Sequence, residues 1–132
     1  MGYFFEIDSA NDVLRITWEE PLTDQVVSEG VAAGRTFLVS HRGIRLISDF
    51  SGVKKLDVSG ETVRTLAGEE THGEERSVVV TVAPADIVFG LARMFSILTE
   101  ERRPDRHVVR TMREAYALLG IAAPQFTRID VD

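Results

Sequence analysis

The chain has no cysteine among its 132 residues. Disulfides, thiolate metal sites and a cysteine nucleophile are therefore excluded. No apolar run approaches the roughly 18 residues that suggest a membrane-spanning helix. The N-terminus begins Met-Gly-Tyr-Phe-Phe-Glu and has no basic segment followed by a long apolar stretch, so no signal peptide is predicted. Together these absences make the cytoplasm the expected location.

Positive charge is also scarce, because 15 lysines and arginines face 21 acidic residues and give a net charge of -6. Nucleic-acid binding through a general basic field is therefore not expected. The hydrophobic share of 44% is usual for a folded domain. The length suits a single domain, which we place at residues 1–120. The apolar tail, residues 121–132, is expected to pack on the body or on a second subunit.

Apolar periodicity predicts a β-hairpin followed by strand–helix units. The hairpin strands are 3–8 and 13–18, rich in aromatic and β-branched residues around a turn. Further strands are predicted at 44–50, 77–83 and 107–109, and helices at about 23–40, 59–70, 85–99 and 111–120. This order predicts an α/β fold with a mixed sheet of about five strands and about four helices.

Two short segments resemble a known family. Asp49-Phe50-Ser51-Gly52-Val53 follows a predicted buried strand, and Leu56-Asp57-Val58-Ser59-Gly60 opens a predicted helix. With the element order, these segments resemble the STAS superfamily, named for sulfate transporters and anti-sigma-factor antagonists. Residues 88–95 and 109–115 look like its bacterial SpoIIAA-like branch, also described as STAS/SEC14-like. The likeness extends along the chain to Gly120.

The resemblance implies a non-enzymatic regulatory or protein-interaction module. Some STAS domains are switched by phosphorylation of the first serine of an Asp-Ser-Ser-Gly turn, and that serine corresponds to Val58 here. Valine cannot be phosphorylated, so the expected module lacks the usual phosphoserine switch. We expect a homodimer with an unidentified protein partner. The alternative, prompted by the SEC14-like likeness, is a carrier of a small apolar ligand or lipid.

The first candidate site is the segment from 49 to 60, in which a strand end meets a helix N-terminus. Backbone amides at a helix N-terminus and two nearby lysines could hold a carboxylate, a phosphate or a partner. The alternative is an ordinary capped helix beside solvated lysines, with aspartates that fix the loop. The residues are Asp49, Ser51, Lys54, Lys55, Asp57, Ser59 and Gly60.

The second candidate site is an apolar pocket or dimer face on the third helix, formed by Phe89, Gly90, Met94 and Phe95. This helix is predicted to bury Ile87, Leu91, Met94, Phe95 and Leu98, with Phe89 off that stripe. Gly90 is expected to permit a close approach. Gly30 and Gly34 on the first helix are expected to let that helix lie close to the sheet or to another helix.

No catalytic residue, metal site or cofactor is predicted. The chain has no Gly-x-Ser-x-Gly elbow, phosphate-binding glycine loop or His-Glu-x-x-His helix. A stretch with metal-ligand residue types, Glu69, Glu70, His72 and Glu74, lies in an acidic loop that we expect to be a solvated surface.

Overall fold

The computed structural model describes residues 2–69, 78–101 and 105–130. Six strands form one mixed sheet in the order β5-β4-β3-β2-β1-β6, and four helices pack on it. In chain order the elements are β1 (Tyr3–Asp8), β2 (Val13–Trp18), α1 (Asp24–Ser40), β3 (Arg45–Asp49), α2 (Gly60–Gly68), β4 (Val79–Val82), α3 (Asp86–Leu98), β5 (Arg106–Val109), α4 (Met112–Leu119) and β6 (Thr127–Ile129). The predicted mixed α/β fold is confirmed, with a sixth strand that the sequence did not predict.

Strands β2 to β5 run parallel, and β1 pairs antiparallel with both β2 and β6. The four residues of β4 are all buried, as expected for an apolar strand that lies between two parallel neighbours. β5 lies at the sheet edge, which suits its less apolar sequence.

The two faces of the sheet bury different residues because side chains alternate along each strand. From β2, Leu14, Ile16 and Trp18 point towards α1, α2 and α3 and are each at most 3% exposed. Val13 points to the opposite face, which α4 and the segment after it cover. The core on that face consists of Val13, Ile47, Val80, Val82, Ala115, Leu119 and Ile121.

The C-terminal segment returns to the body of the same chain. β6 pairs with β1, and the Arg15 guanidinium lies 4.2 Å from the centroid of the Phe126 ring. The buried Asp8 carboxylate accepts hydrogen bonds from the backbone N–H of Asn11, in the hairpin turn, and of Gln125, in the tail. A buried carboxylate needs such partners, so Asp8 joins the tail to the first hairpin.

Side-chain caps begin three of the helices, and the capping residues are serine and threonine, which are typical of helix N-caps. Each cap is a hydroxyl group that accepts a hydrogen bond from the backbone N–H three residues further on, with N···O distances of 3.1–3.3 Å. The capping residues are Thr23, Ser59 and Thr111. α4 ends at Gly120, whose φ of 70° lies in the left-handed region that glycine adopts without a Cβ clash.

The inward stripe of α3 differs from the predicted one. Val88 is 2% exposed and faces the core, whereas Ile87 and Leu98 are 56% and 44% exposed. Two of the predicted inward residues, Leu91 and Phe95, do face the sheet. The helix has apolar residues around most of its circumference, so its hydrophobic pattern could not fix its rotation.

Gly30 lets α1 lie directly against Trp18. A Cβ atom built at position 30 would lie 2.5 Å from Cη2 and 2.6 Å from Cζ3 of the Trp18 ring. At Gly34 the nearest side-chain atom would be Cε1 of Phe5, at an ordinary contact distance of 3.9 Å. The expected close approach is therefore found at Gly30 and not at Gly34.

This difference gives a matched pair of substitutions. Gly30→Ala should lower the free energy of unfolding by about 1–2 kcal/mol, because overpacking against a buried ring outweighs the gain in helix propensity. Gly34→Ala should raise it by up to about 1 kcal/mol. Urea denaturation of both variants checks the pair, and equal effects would contradict the packing of α1 on Trp18.

Candidate ligand-binding site

A cavity of about 130 Å³ lies between the sheet and helices α1, α2 and α3, which cover one of its faces. Its wall is largely apolar and comes from β2, α1, the loop before α2, α2 itself and α3. Representative wall residues are Trp18, Val31, Leu56, Val58, Val63 and Leu91. The space is partly open to solvent and is therefore not an enclosed interior void.

Small side chains leave this space open where the helices converge over the sheet. Val27 and Val31 from α1, Val63 from α2 and Ala92 from α3 all reach the cavity wall. Each is shorter than Leu or Phe, so a larger side chain at any of these positions would narrow the space.

Polar groups occupy the sheet side of the cavity. Ser48 and Thr81 are neighbours in the β3–β4 register, and both line the space. The Trp18 Nε1–H donates a hydrogen bond of 2.9 Å to the Ser48 hydroxyl. A hydroxyl has one proton and two lone pairs, so Ser48 can still donate its own proton after accepting this bond.

Arg106 adds positive charge at the same place. It lies on β5 in register with Val79, lines the cavity, and has its guanidinium carbon 4.6 Å from the centroid of the Phe95 ring. The Arg106 Nε atom is buried. The cavity thus combines an apolar interior with a hydrogen-bonding and cationic wall.

A smaller cleft of about 80 Å³ adjoins the cavity. The cleft extends to Arg35 on α1. The wall residues that the two spaces share are Trp18, Val31, Ser48, Phe95 and Arg106. Among the described residues that line either space, none is Asp or Glu.

In the predicted anion-binding segment, carboxylates of the chain itself accept hydrogen bonds from the backbone amides. Glu20 accepts hydrogen bonds from the backbone N–H groups of Lys54 and Lys55, at 3.1 and 2.8 Å. Asp24 accepts from the backbone N–H of Ser59 at 2.7 Å. Glu20, which precedes α1, and Asp24, the first residue of α1, therefore occupy the positions where an external anion was expected.

The remaining residues of this segment have structural contacts or face solvent. The buried Asp49 carboxylate accepts from the backbone N–H of Ser51 at 2.9 Å and from its hydroxyl. The Asp57 backbone N–H donates to the Leu22 carbonyl at 2.8 Å, and its side chain is exposed. Gly60 is the first residue of α2.

The same segment contributes apolar side chains to the cavity. Leu56 and Val58 line the cavity. Asp57 and Ser59, which alternate with them along the chain, are exposed. Val58 thus contacts the cavity. This alternation makes one side of the loop solvated and the other part of the cavity wall.

Of the four residues proposed for an apolar pocket or dimer face, Phe95 lies on the cavity wall. Phe89 packs at the edge of the core between the sheet and helices α1 to α3. The Arg110 guanidinium lies 3.8 Å from the centroid of the Phe89 ring. Gly90 is exposed, and no atom lies within 4 Å of a Cβ built there. Met94 is half-buried.

Sequence reasoning did not select Ser48, Thr81 or Arg106. The available signals were a serine within the strand predicted at 44–50 and a threonine within the nearly all-apolar strand predicted at 77–83. Trp18 belongs to both the core and the cavity wall.

No family model, curated protein or solved structure matches this chain. Within residues 2–69, 78–101 and 105–130, no three His, Asp or Glu side chains are grouped so that they could hold a metal ion. Glu70, His72 and Glu74 of the acidic loop lie outside the described residues, and Glu69 pairs with Arg35 at 3.4 Å. No helix in those ranges is long and apolar enough to cross a bilayer.

The Asp24–Ser59 contact makes the stability of the loop dependent on pH. The hydrogen bond from the Ser59 backbone lowers the pKa of Asp24 below its ordinary value of 3.8. A carboxylate with a lowered folded-state pKa stabilises the fold above its unfolded pKa and loses that contribution as the pH falls through the folded value.

Asp24→Asn should therefore be less stable than the wild type at neutral pH, and the difference should shrink below about pH 4. Urea denaturation of both proteins at pH values on each side of this range measures the difference. Asp130→Asn, which removes the same charge at an exposed position after β6, is the control. An unchanged difference in acid would show that the Asp24 charge does not stabilise the loop.

Proposed function

We propose that this domain is a non-catalytic binding module that holds a small, largely apolar molecule between its sheet and helices. The observation that carries the proposal is the cavity of about 130 Å³, apolar over most of its wall with Ser48, Thr81 and Arg106 on one side. Small-molecule sites commonly combine an apolar lining with a few convergent polar groups that orient the ligand.

The cavity volume limits the ligand. An engineered apolar cavity of about 150 Å³ binds benzene, so a space of similar size accepts a molecule with roughly six to eight non-hydrogen atoms. The adjoining cleft provides room for a somewhat longer molecule that extends past Phe95 and Arg106. A long-chain lipid would require the helices to move apart.

The loop from 49 to 60 supports this function more directly than it supports anion binding. Its amides donate to Glu20 and Asp24, whereas its apolar residues Leu56 and Val58 form part of the cavity wall. The SEC14-like side of the sequence resemblance points to the same class of role. We therefore rank ligand binding above an anion-docking edge.

A protein-interaction module that self-associates through α3 is the second candidate. Three large apolar side chains of that helix, Ile87, Ile97 and Leu98, are 44–62% exposed. Adjacent exposed apolar residues are typical of contact surfaces. Analytical ultracentrifugation over a wide concentration range tests this candidate, and a monomer at every concentration would argue against a dimer.

Filling the cavity tests ligand binding. Ala92→Phe places a ring in the cavity and should abolish binding of hexanol, whereas Ala117→Phe makes the same change at an exposed position of α4 and should not affect it. Trp18, the sole tryptophan of the chain, lies in the cavity wall, so its fluorescence should change saturably as the ligand enters.

Calorimetry of the same titrations provides a second measurement of hexanol affinity. We expect the wild type and Ala117→Phe to bind hexanol and Ala92→Phe not to bind it. Equal binding by all three proteins would place the ligand elsewhere and would refute the cavity as its site.

A further inference from the structure

Two hydroxyl groups lie side by side on the sheet wall of the cavity. Ser48 on β3 and Thr81 on β4 are in register, and both line the space. Thr81 is only 6% exposed and belongs to a strand whose four residues are all buried. Buried hydroxyl groups in proteins are usually hydrogen-bonded to protein atoms or to water, so a molecule that enters the cavity has to supply the partner in their place.

Both hydroxyl groups have a proton to donate. Ser48 accepts a hydrogen bond of 2.9 Å from the Trp18 Nε1–H, which leaves its own proton for another acceptor. Among the residues that the structure describes, none forms a hydrogen bond with the Thr81 hydroxyl, and Ser48 is no exception. Two neutral donors therefore face the cavity from adjacent strands.

The spacing of the strands lets one ligand atom reach both donors. Neighbouring strands lie about 4.8 Å apart, and two O–H···O hydrogen bonds of about 2.8 Å can meet across that distance. A carbonyl oxygen has two lone pairs and no proton, so it accepts both bonds and adds no unpaired donor. An alcohol leaves one proton unpaired, either its own or that of Thr81, because Ser48 and Thr81 do not bond to each other.

We infer that the ligand is a small neutral carbonyl compound, a ketone or an ester, whose carbonyl oxygen accepts hydrogen bonds from Ser48 and Thr81. Its apolar part lies among the helices. This inference rests on the proposed function and adds to it the chemical class of the ligand. Arg106 has no part in this contact, since its guanidinium stacks on the Phe95 ring.

Three small molecules of nearly equal shape test the inference. 2-Hexanone carries the carbonyl group, 2-hexanol has a hydroxyl group in its place, and 2-methyl-1-hexene has a CH₂ group instead of the oxygen. Each is titrated into the full chain, with Trp18 fluorescence and calorimetry as readouts. 2-Hexanone should bind about fivefold more tightly than 2-hexanol, because the alcohol leaves a proton unpaired in an apolar space.

Substitution of Thr81 assigns the preference to a residue. Thr81→Val replaces the hydroxyl by a methyl group, so it should weaken 2-hexanone binding about fivefold and leave binding of the alkene unchanged or tighter. Thr17→Val is the matched control, because Thr17 lies in β2 on the opposite face of the sheet from Trp18. It should alter neither affinity.

Urea denaturation shows whether both variants keep the fold. The Thr17 hydroxyl is buried and has no hydrogen-bond partner in the part of the chain that the structure describes. Valine removes an unpartnered hydroxyl at either position and suits a β-strand, so each variant should be at least as stable as the wild type.

The outcomes separate the two proposals. If 2-hexanol binds the wild type as tightly as 2-hexanone, or if Thr81→Val binds 2-hexanone as tightly as the wild type does, the carbonyl contact is wrong and the cavity remains an apolar ligand site. If none of the three molecules binds, the proposed function itself is wrong. The wild-type comparison of 2-hexanone with 2-hexanol holds even where a variant does not fold.

Discussion

The contact between Trp18 and Gly30 determines how α1 lies on the sheet. A side chain at position 30 would overlap the indole, so the helix can approach only because glycine has no Cβ. The same ring stacks on Phe50 with centroids 5.3 Å apart, and its N–H donates to Ser48 on the next strand. Trp18 therefore joins α1, β2 and β3, and the cavity lies beside it.

The loop from 49 to 60 and the cavity form one structural unit. On its outer side, Glu20 and Asp24 accept hydrogen bonds from backbone N–H groups of the loop. These bonds hold the loop against the start of α1. On its inner side, Leu56 and Val58 face the cavity. The loop is thus fixed by polar contacts outside and presents apolar surface inside.

Hydrophobic periodicity predicted the main elements because strands and helices repeat with different spacings. The alternation in β2, the apolar run of β4 and the capping residues Thr23, Ser59 and Thr111 were all sufficient signals. β6 was missed because three residues in an apolar tail carry little pattern. The rotation of α3 and the cavity could not be predicted, because both depend on how side chains from separate elements fill the space between them.

The central claim is that a small molecule occupies the space beside Trp18. Nuclear Overhauser effects between hexanol and the full chain test it most directly, because they report distances between the ligand and individual methyl groups. The account predicts contacts from the ligand chain to the methyl groups of Val31, Val63 and Leu91. Contacts to Ile87 and Ile97 on the exposed side of α3, with none to those three residues, would contradict it.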